Sequence, residues 1–398
     1  MTVVKAGKDT IKYINKQNIL NAFKGEDVLS KADILEHTKL SAATVSSLIQ
    51  ELVTEGLLSE NRFGESSGGR KPMLYNLNGA FACILALRVT PKGIQMGAVN
   101  LCGTVVYHRA LPMLIHDAAT LEDGIAEAIR LFCADEPRLS LKVTAAAFSL
   151  PGIIDYTGRR LCYSAALYAE DVSLQPLVDA GLGKGTEVYV FKDTDALLLG
   201  EYFAGVGEGR SMAYVLCDNG VGLSVITRGR LFRADNCGME LGHTVVDLRG
   251  ERCKCSAVGC ICTLLGEQPA LRRYAQICPQ DEDGALSDFC SLSYDGLVSK
   301  YLEGAAPAAQ VIAEQLEILS VTLTNVINLF NPEVLILGGP LSKLPCIERE
   351  FAAELKARAL KPFAQNLAVV ASRQGLDAAL KGMAHFVLDK KFFKSVKI

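Results

Sequence analysis

No apolar run in this chain of 398 residues reaches the roughly 18 residues that a membrane-spanning helix needs. The opening segment, Met1 to Asp9, lacks the apolar core of a signal peptide, so the expected location is the cytoplasm, with no membrane partner. Neither sign of charge dominates: 41 basic and 44 acidic residues leave a net charge of −3. That excludes a protein that coats a polyanion along its whole length, but not one with a small nucleic-acid-binding domain. A short-period repeat is also missing. The balance of 49% hydrophobic to 21% charged residues excludes a disordered chain. What is present in excess is cysteine. The count of 13 is odd, and none falls in residues 1–78. In a cytoplasmic setting this argues against a disulfide scaffold and for a metal cluster. At roughly 150 residues per domain the length implies two or three domains.

Residues 1–78 are polar, with 10 basic and 9 acidic side chains. Three helical patterns come first. One runs from about Thr10 to Phe23, with Ile11, Ile14, Ile19, Leu20 and Phe23 apolar. The second opens at Ser30, with Asp33 three positions on in the spacing of a capping box. The third opens at Ser41 and runs to about Glu55. Two strands, Leu57–Asn61 and Pro72–Leu77, then flank a glycine- and serine-rich loop. Three helices and a hairpin in that order predict a winged helix-turn-helix.

In the third helix Val45, Leu48, Ile49, Leu52 and Val53 share one apolar face. Ala43, Ser46, Ser47 and Gln50 lie opposite, with Ser41 and Thr44 at the helix start. Small and hydrogen-bonding side chains there let a helix sit deep in the major groove of double-stranded DNA. A solvated face of a protein-interaction module is the alternative. The loop Gly68-Gly-Arg70-Lys71-Pro72 favours DNA: Arg70 can enter a narrow minor groove while Lys71 meets phosphate. The near-neutral charge of the domain predicts a homodimer, or a higher oligomer, reading two half-sites.

From Phe81 onward strands and helices alternate, which predicts α/β architecture. Expected strands are Cys83–Val89, Gly97–Asn100, Val143–Ser149, Glu187–Phe191, Met212–Leu216, Leu223–Thr227 and Val334–Leu337. Expected helices lie near Leu121–Phe132, Ala196–Phe203 and Ala306–Phe330. Within this part His243, Cys253, Cys255 and Cys260 follow one another as His-x9-Cys-x-Cys-x4-Cys, with Cys262 left over. One imidazole and three thiolates complete a closed tetrahedral zinc site, one ion per subunit, structural rather than catalytic. Chance clustering in a cysteine-rich chain is the alternative.

Gly238-Met-Glu240-Leu-Gly242-His243 followed by Cys253-Lys-Cys255-Ser-Ala-Val-Gly259-Cys260 resembles the signature of the ROK family (repressor, open reading frame, kinase). Pro151-Gly152, Phe191-Lys-Asp193, Gly220-Val-Gly222 and Asn331-Pro-Glu333 with Gly338-Gly339 support it. The winged helix matches the family's repressor branch, which includes N-acetylglucosamine and xylose repressors. The resemblance implies a two-lobed actin-like ATPase fold that binds sugar in its cleft, with zinc nearby. The implied domains are 1–78 for DNA, 79–198 for the first lobe, completed by a C-terminal helix 379–398, and 199–378 for the second lobe with its zinc loop.

Against the family's kinases this chain departs where phosphate is handled. The Asp-x-Gly-Gly-Thr loop reads Arg88-Val-Thr-Pro-Lys92, without the acid or either glycine. Such a loop needs backbone N–H groups around the anion, and Pro91 has none to donate. The second loop reads Asp218-Asn-Gly220-Val-Gly222-Leu-Ser224. No catalytic residue is therefore expected, although Asp193 stands at the family's general-base position.

By the same resemblance Asp193, Glu240 and His243 would face the sugar. Lys192 replaces an Asn, Ala166 another Asn, and Cys262 a Glu. Two cations, Arg88 and Lys192, enter the neighbourhood, which implies an acidic effector such as a sugar phosphate or sugar acid. A retired pocket, with Lys192 paired to Asp193 or Glu240, is the alternative. Three functions stay open: a carbohydrate-responsive DNA-binding repressor, a sugar kinase with an added DNA-binding domain, and a zinc-stabilised DNA-binding dimer without an effector.

Overall fold

The structure, a computed structural model, describes residues 8–63, 72–207, 209–233, 238–278, 292–373, 375 and 377–393. The chain divides into two compact units, Met1–Lys192 with Leu380–Ile398, and Asp193–Ala379.

The first unit begins with helices α1 (Lys8–Ala22), α2 (Lys31–Thr38) and α3 (Ala42–Thr54). The expected capping box at Ser30 is present. The Asp33 N–H donates to Ser30 Oγ at 3.3 Å and the Ser30 N–H to Asp33 Oδ2 at 2.8 Å. Reciprocal satisfaction of two otherwise orphaned donors starts the helix there. Ser41 caps α3 through the Thr44 N–H at 3.2 Å. Ile19, Leu20, Phe23, Ile34, Val45, Leu48, Ile49 and Leu52 form the buried core. Ile11 and Ile14, read as part of the apolar face of α1, are instead about half exposed.

The expected two-stranded hairpin is a three-stranded sheet. Strand β1 (Leu29–Ser30) pairs antiparallel with β3 (Met73–Leu77), and β3 with β2 (Leu58–Phe63). A two-residue strand leaves no periodic signal, so it was invisible in the sequence.

Beyond it lies a five-stranded sheet in the order β11-β7-β4-β5-β6. Strands β4 (Cys83–Thr90), β5 (Gly93–Asn100) and β6 (Val105–Pro112) run antiparallel as a meander. Strands β7 (Val143–Leu150) and β11 (Glu187–Lys192) run parallel to β4. Central strands covered on both faces read as continuous apolar runs, which is why β4 and β7 were legible. Strand β5 starts four residues earlier than expected, since the ladder continues to Thr90 opposite Gly93. A smaller sheet, β8 (Ile153–Asp155), β9 (Arg160–Ser164) and β10 (Ala169–Ser173), follows β7. The helix Ala118–Asp135 packs its apolar side into a core with Leu85, Leu87, Phe148 and Val190. On the other face Phe386, from the helix Asp377–Leu388, meets Phe191 edge to face at 5.2 Å.

Within this unit the helical domain is tied to the π-helical turn Asp389–Phe393 that continues the sheet's covering helix. Lys24 pairs with Asp389, which is 2% exposed, and Asn21 Nδ2 donates to the Phe393 carbonyl at 2.7 Å.

The second unit holds a second five-stranded sheet, β14-β13-β12-β15-β16. Strands β12 (Met212–Cys217), β13 (Val221–Thr227) and β14 (Arg230–Leu231) are antiparallel. Strands β15 (Val334–Gly338) and β16 (Ala368–Ala371) run parallel to β12. The helix Ala306–Phe330, with the bounds expected, packs Val311, Leu319, Leu323 and Val326 into this unit's core. No described helix is long and apolar enough to cross a membrane.

Candidate functional site

Helix α3 presents the expected row. Ala43, Ser46, Ser47 and Gln50 are exposed, while Val45, Leu48, Ile49 and Leu52 are buried. Ser41 is exposed as the cap and Thr44 half-buried. Its last turns carry two acids that would repel phosphate. Lys12 and Lys16 of α1 answer them: Lys12 Nζ lies 2.8 Å from Glu51, and Lys16 Nζ 3.0 Å from Glu51 and 2.5 Å from Glu55. Burial works to lower the Lys16 pKa, but hydrogen bonds to Glu55 and Glu51 outweigh it and raise it. The hydrogen bond from Lys12, then that from Lys16, holds the Glu51 carboxyl below its ordinary value. This clamp went unread because its members lie on different helices. Arg70 and Lys71 fall outside the described residues.

The metal-type cluster stands in the second unit, on the connection between β14 and the helix Glu267–Ile277. One donor atom from each of His243, Cys253, Cys255 and Cys260 lies within 4.8 Å of every other. Short backbone pairings shape the loop: Val245 bridges Cys260, Arg252 bridges Val258, and the Cys253 N–H donates to the Ala257 carbonyl at 2.8 Å. Cys253 Sγ is 3.6 Å from His243 Nδ1, and Cys255 Sγ is 3.6 Å from Cys260 Sγ. Tetrahedral zinc would set S···N edges of about 3.6 Å and S···S edges of about 3.8 Å. The four residues thus fit a metal ion in donor type, number and spacing. Burial disfavours the Cys253 thiolate, but hydrogen bonds from the Cys255 N–H, the neighbouring thiols and His243 outweigh it and bring the thiol down to about 6. Cys262, set aside as surplus by spacing alone, is not remote. Its Sγ lies 3.4 Å from Cys253 Sγ and 3.8 Å from His243 Nδ1.

The two cations expected beside an effector do not share a face. Arg88 on β4 and Phe191 on β11 both stand in register with Ser149 on β7, whereas Lys192 stands beside Leu150. Successive side chains on a strand alternate faces, so Lys192 points opposite to Arg88. The expectation that one anion meets both is corrected on that ground. Arg88 Nη1 donates to Gln95 Oε1 at 3.4 Å, while Arg88 Nε and Ser149 Oγ are buried without a hydrogen-bond partner. Lys192 is 5% exposed. Asp193 opens the helix Asp193–Phe203, and its Oδ1 accepts from the Thr194 N–H at 2.7 Å. Glu240 directly precedes the 3-10 turn Leu241–His243.

Both phosphate-loop positions are tight turns. Pro91-Lys92 is a two-residue connection closed by Thr90 opposite Gly93. In the other, the Asp218 carbonyl accepts from the Glu267 N–H at 2.9 Å and the Asp218 N–H donates to Gly220 at 3.0 Å.

The ROK family matches residues 85–390, which span both units. The chain belongs to the ROK family. Among its relatives, the DNA-binding transcriptional repressor Mlc of Escherichia coli is 27% identical over 94% of this chain and 93% of its own. The xylose repressor of Caldicellulosiruptor bescii is 26% identical over 83% of this chain and 84% of its own. The crystal structure of a ROK family transcriptional regulator, a homologue of the E. coli Mlc protein, superposes with a TM-score of 0.78 at 22% identity. It covers 96% of this chain and 97% of that one. That likeness establishes the fold from the winged helix through both α/β units.

Proposed function

We propose that this ROK protein is a cytoplasmic DNA-binding transcriptional repressor, dimeric or larger, whose α/β part senses a carbohydrate-derived effector. The carrying observation is helix α3. It exposes a row of small and hydrogen-bonding side chains, and its two acids are neutralised by lysines of α1. Relatives named as repressors align over most of the chain, the helical domain included in the Mlc match. In this reading Ser46, Ser47 and Gln50 meet base edges, Ser41 and Thr44 meet phosphate, and Ala43 permits close approach. Arg70 enters the minor groove and Lys71 contacts the backbone.

Structural zinc is the ion proposed for His243, Cys253, Cys255 and Cys260. It would supply no chemistry beyond holding the loop that carries His243 behind Glu240. The effector is proposed to bond Asp193 and Glu240 through its hydroxyls, with Lys192 facing an acidic group. Arg88 and Ser149 offer separate polar contacts on the other sheet face, where their free capacity would be met by ligand or water. Release from DNA then requires that the effector favour one conformation by a few kcal/mol over the other.

Sugar phosphorylation is not part of the proposal. Pro91 has no N–H to offer phosphate, and the Asp218 turn is tied to the following helix by its own carbonyl. Operator selection with the purified protein tests the reading, repeated with glucose, xylose, N-acetylglucosamine and their 6- or 5-phosphates. Arg70→Ala should weaken binding by about 1–3 kcal/mol, and Lys71→Ala should flatten its salt dependence. Failure to enrich any sequence, or robust ATP-dependent phosphorylation that Asp193→Asn abolishes, would replace the repressor with the kinase.

A further inference from the structure

Cys262 distinguishes this loop from a plain four-ligand metal site. Four donors already complete a tetrahedron, so a metal leaves no vacancy for a fifth. Cys262 lies outside the set of atoms mutually within 4.8 Å. Yet its Sγ is 3.4 Å from Cys253 Sγ, the shortest thiol pair given by the described residues. It sits on the 3-10 turn Ile261–Thr263 and is half-buried, whereas Cys253 and Cys260 are buried. In the loaded loop Cys262 is therefore a thiol not held by the metal, reachable from solvent, and in contact with one that is.

We propose that Cys262 and Cys253 form a peroxide-sensitive pair that closes to a disulfide and releases the metal. The inference rests on the metal reading above. The Cys262 sulfur attacks the O–O bond of a hydroperoxide and gives up its proton as it does so. An S–O bond forms, the O–O bond breaks, and the leaving oxygen takes a proton as water or alcohol. The Cys253 thiolate then attacks the Cys262 sulfur. The S–S bond forms, the S–O bond breaks, and hydroxide leaves and is protonated to water. The peroxide gains two electrons and the two sulfurs lose them. Cys253 ends without the negative charge that a metal ligand requires, leaving His243, Cys255 and Cys260, and the ion departs. Thiol reductant plus metal reverses the change. The oxidised state would loosen the loop that carries His243, so oxidant and effector would act on the same part of the protein.

The test uses the full-length protein loaded with zinc, its content first measured by elemental analysis. Hydrogen peroxide is added beside a chromogenic zinc chelator, and the products are mapped by peptide mass spectrometry without reduction. Release should accompany a Cys253–Cys262 linkage and reverse with dithiothreitol and zinc. Cys262→Ser should still bind one zinc but release it roughly tenfold more slowly or slower still, since a serine oxygen can form neither the S–O nor the S–S bond. Cys346→Ser, remote in sequence and outside the cluster, should behave as the parent. Equal release rates in Cys262→Ser and parent would overturn the proposal, as would a mapped Cys255–Cys260 linkage in its place. Absence of zinc before oxidant would retire the metal reading instead, and peptide mapping of the same sample would still decide the thiol pair.

Discussion

The two units carry sheets of the same order. In each, a three-stranded antiparallel meander is followed by two strands parallel to its first: β4-β5-β6 with β7 and β11, and β12-β13-β14 with β15 and β16. They differ in the connection that leaves the meander. In the first unit residues 113–117 lead directly into the helix Ala118–Asp135. In the second, residues 232–266 intervene before the helix Glu267–Ile277, and the His/Cys cluster lies within them. The frame is thus common and the chemistry sits in one insertion. A surface connection can lengthen without disturbing strand order, but an insertion that long has little core of its own. A metal ion held by the cluster would supply what the missing core cannot.

The largest effect that follows is confined to the second unit. Cys260→Ser removes one of the four proposed ligands, a buried one, and should abolish stoichiometric zinc. Zinc binding to small folding units is worth about 10–16 kcal/mol, so much of the order of this loop depends on it. Limited proteolysis should then cut between residues 244 and 260, while amide protection of β4 and β7 stays at its parental level. Equal protease resistance with and without metal would show that the backbone pairings hold the loop unaided, and the contrast between the two connections would lose its physical basis.

A second test asks how far the frame is really shared. After β7 the chain turns at Gly152, with φ +126°, and after β15 at Gly339, with φ +88°. A Cβ at Gly152 would lie 2.3 Å from the Tyr163 carbonyl oxygen, and one at Gly339 would lie 2.0 Å from that of Cys217. Each clash is with backbone, which cannot swing aside. Gly152→Ala and Gly339→Ala should each cost about 2–5 kcal/mol, from the disfavoured dihedral and the overlap together, with Gly339→Ala the worse. Urea unfolding monitored in each unit reads this. A neutral outcome at one position alone would mean that the two turns are alike in sequence and not in mechanics.

Legibility followed the same physics. Strands buried on both faces, such as Val334–Gly338, announced themselves as apolar runs, and Ser30 with Asp33 announced a helix start. Strand β6 did not, since none of its residues is fully buried. The His/Cys cluster was legible because its members lie within 18 positions of one another on one loop (His243 to Cys260). The approach of Cys262 to Cys253 was not, because spacing says nothing about which way a 3-10 turn aims its side chains. The Arg88 and Lys192 reading failed for a related reason: counting residues placed both near a site, but only the register with β7 gives their faces.

The smallest expected difference lies in the helices that precede β7 and β15. Ala118–Asp135 starts with a capping box in which Asp117 Oδ1 accepts from the Thr120 N–H at 2.7 Å. Ala306–Phe330 starts at Ala305 with no side-chain cap. The Thr120 N–H, then its hydroxyl, holds the Asp117 carboxyl below its ordinary value. A carboxylate depressed in the folded state stabilises fully above its unfolded pKa of about 3.9, and that contribution disappears as pH falls through the folded value. The first unit should therefore lose a small increment of stability on acidification below about pH 4 that the second does not lose at this position. Asp117→Asn separates the charge from the cap. Asparagine caps nearly as well at neutral pH, so the variant should match the parent there and lack its acid-sensitive increment. Thermal melts at pH 7 and pH 3 should show the gap between parent and variant at the lower pH narrower than that of Asp117→Ala at pH 7. A parent whose acid sensitivity survives Asp117→Asn unchanged would assign it to other carboxylates.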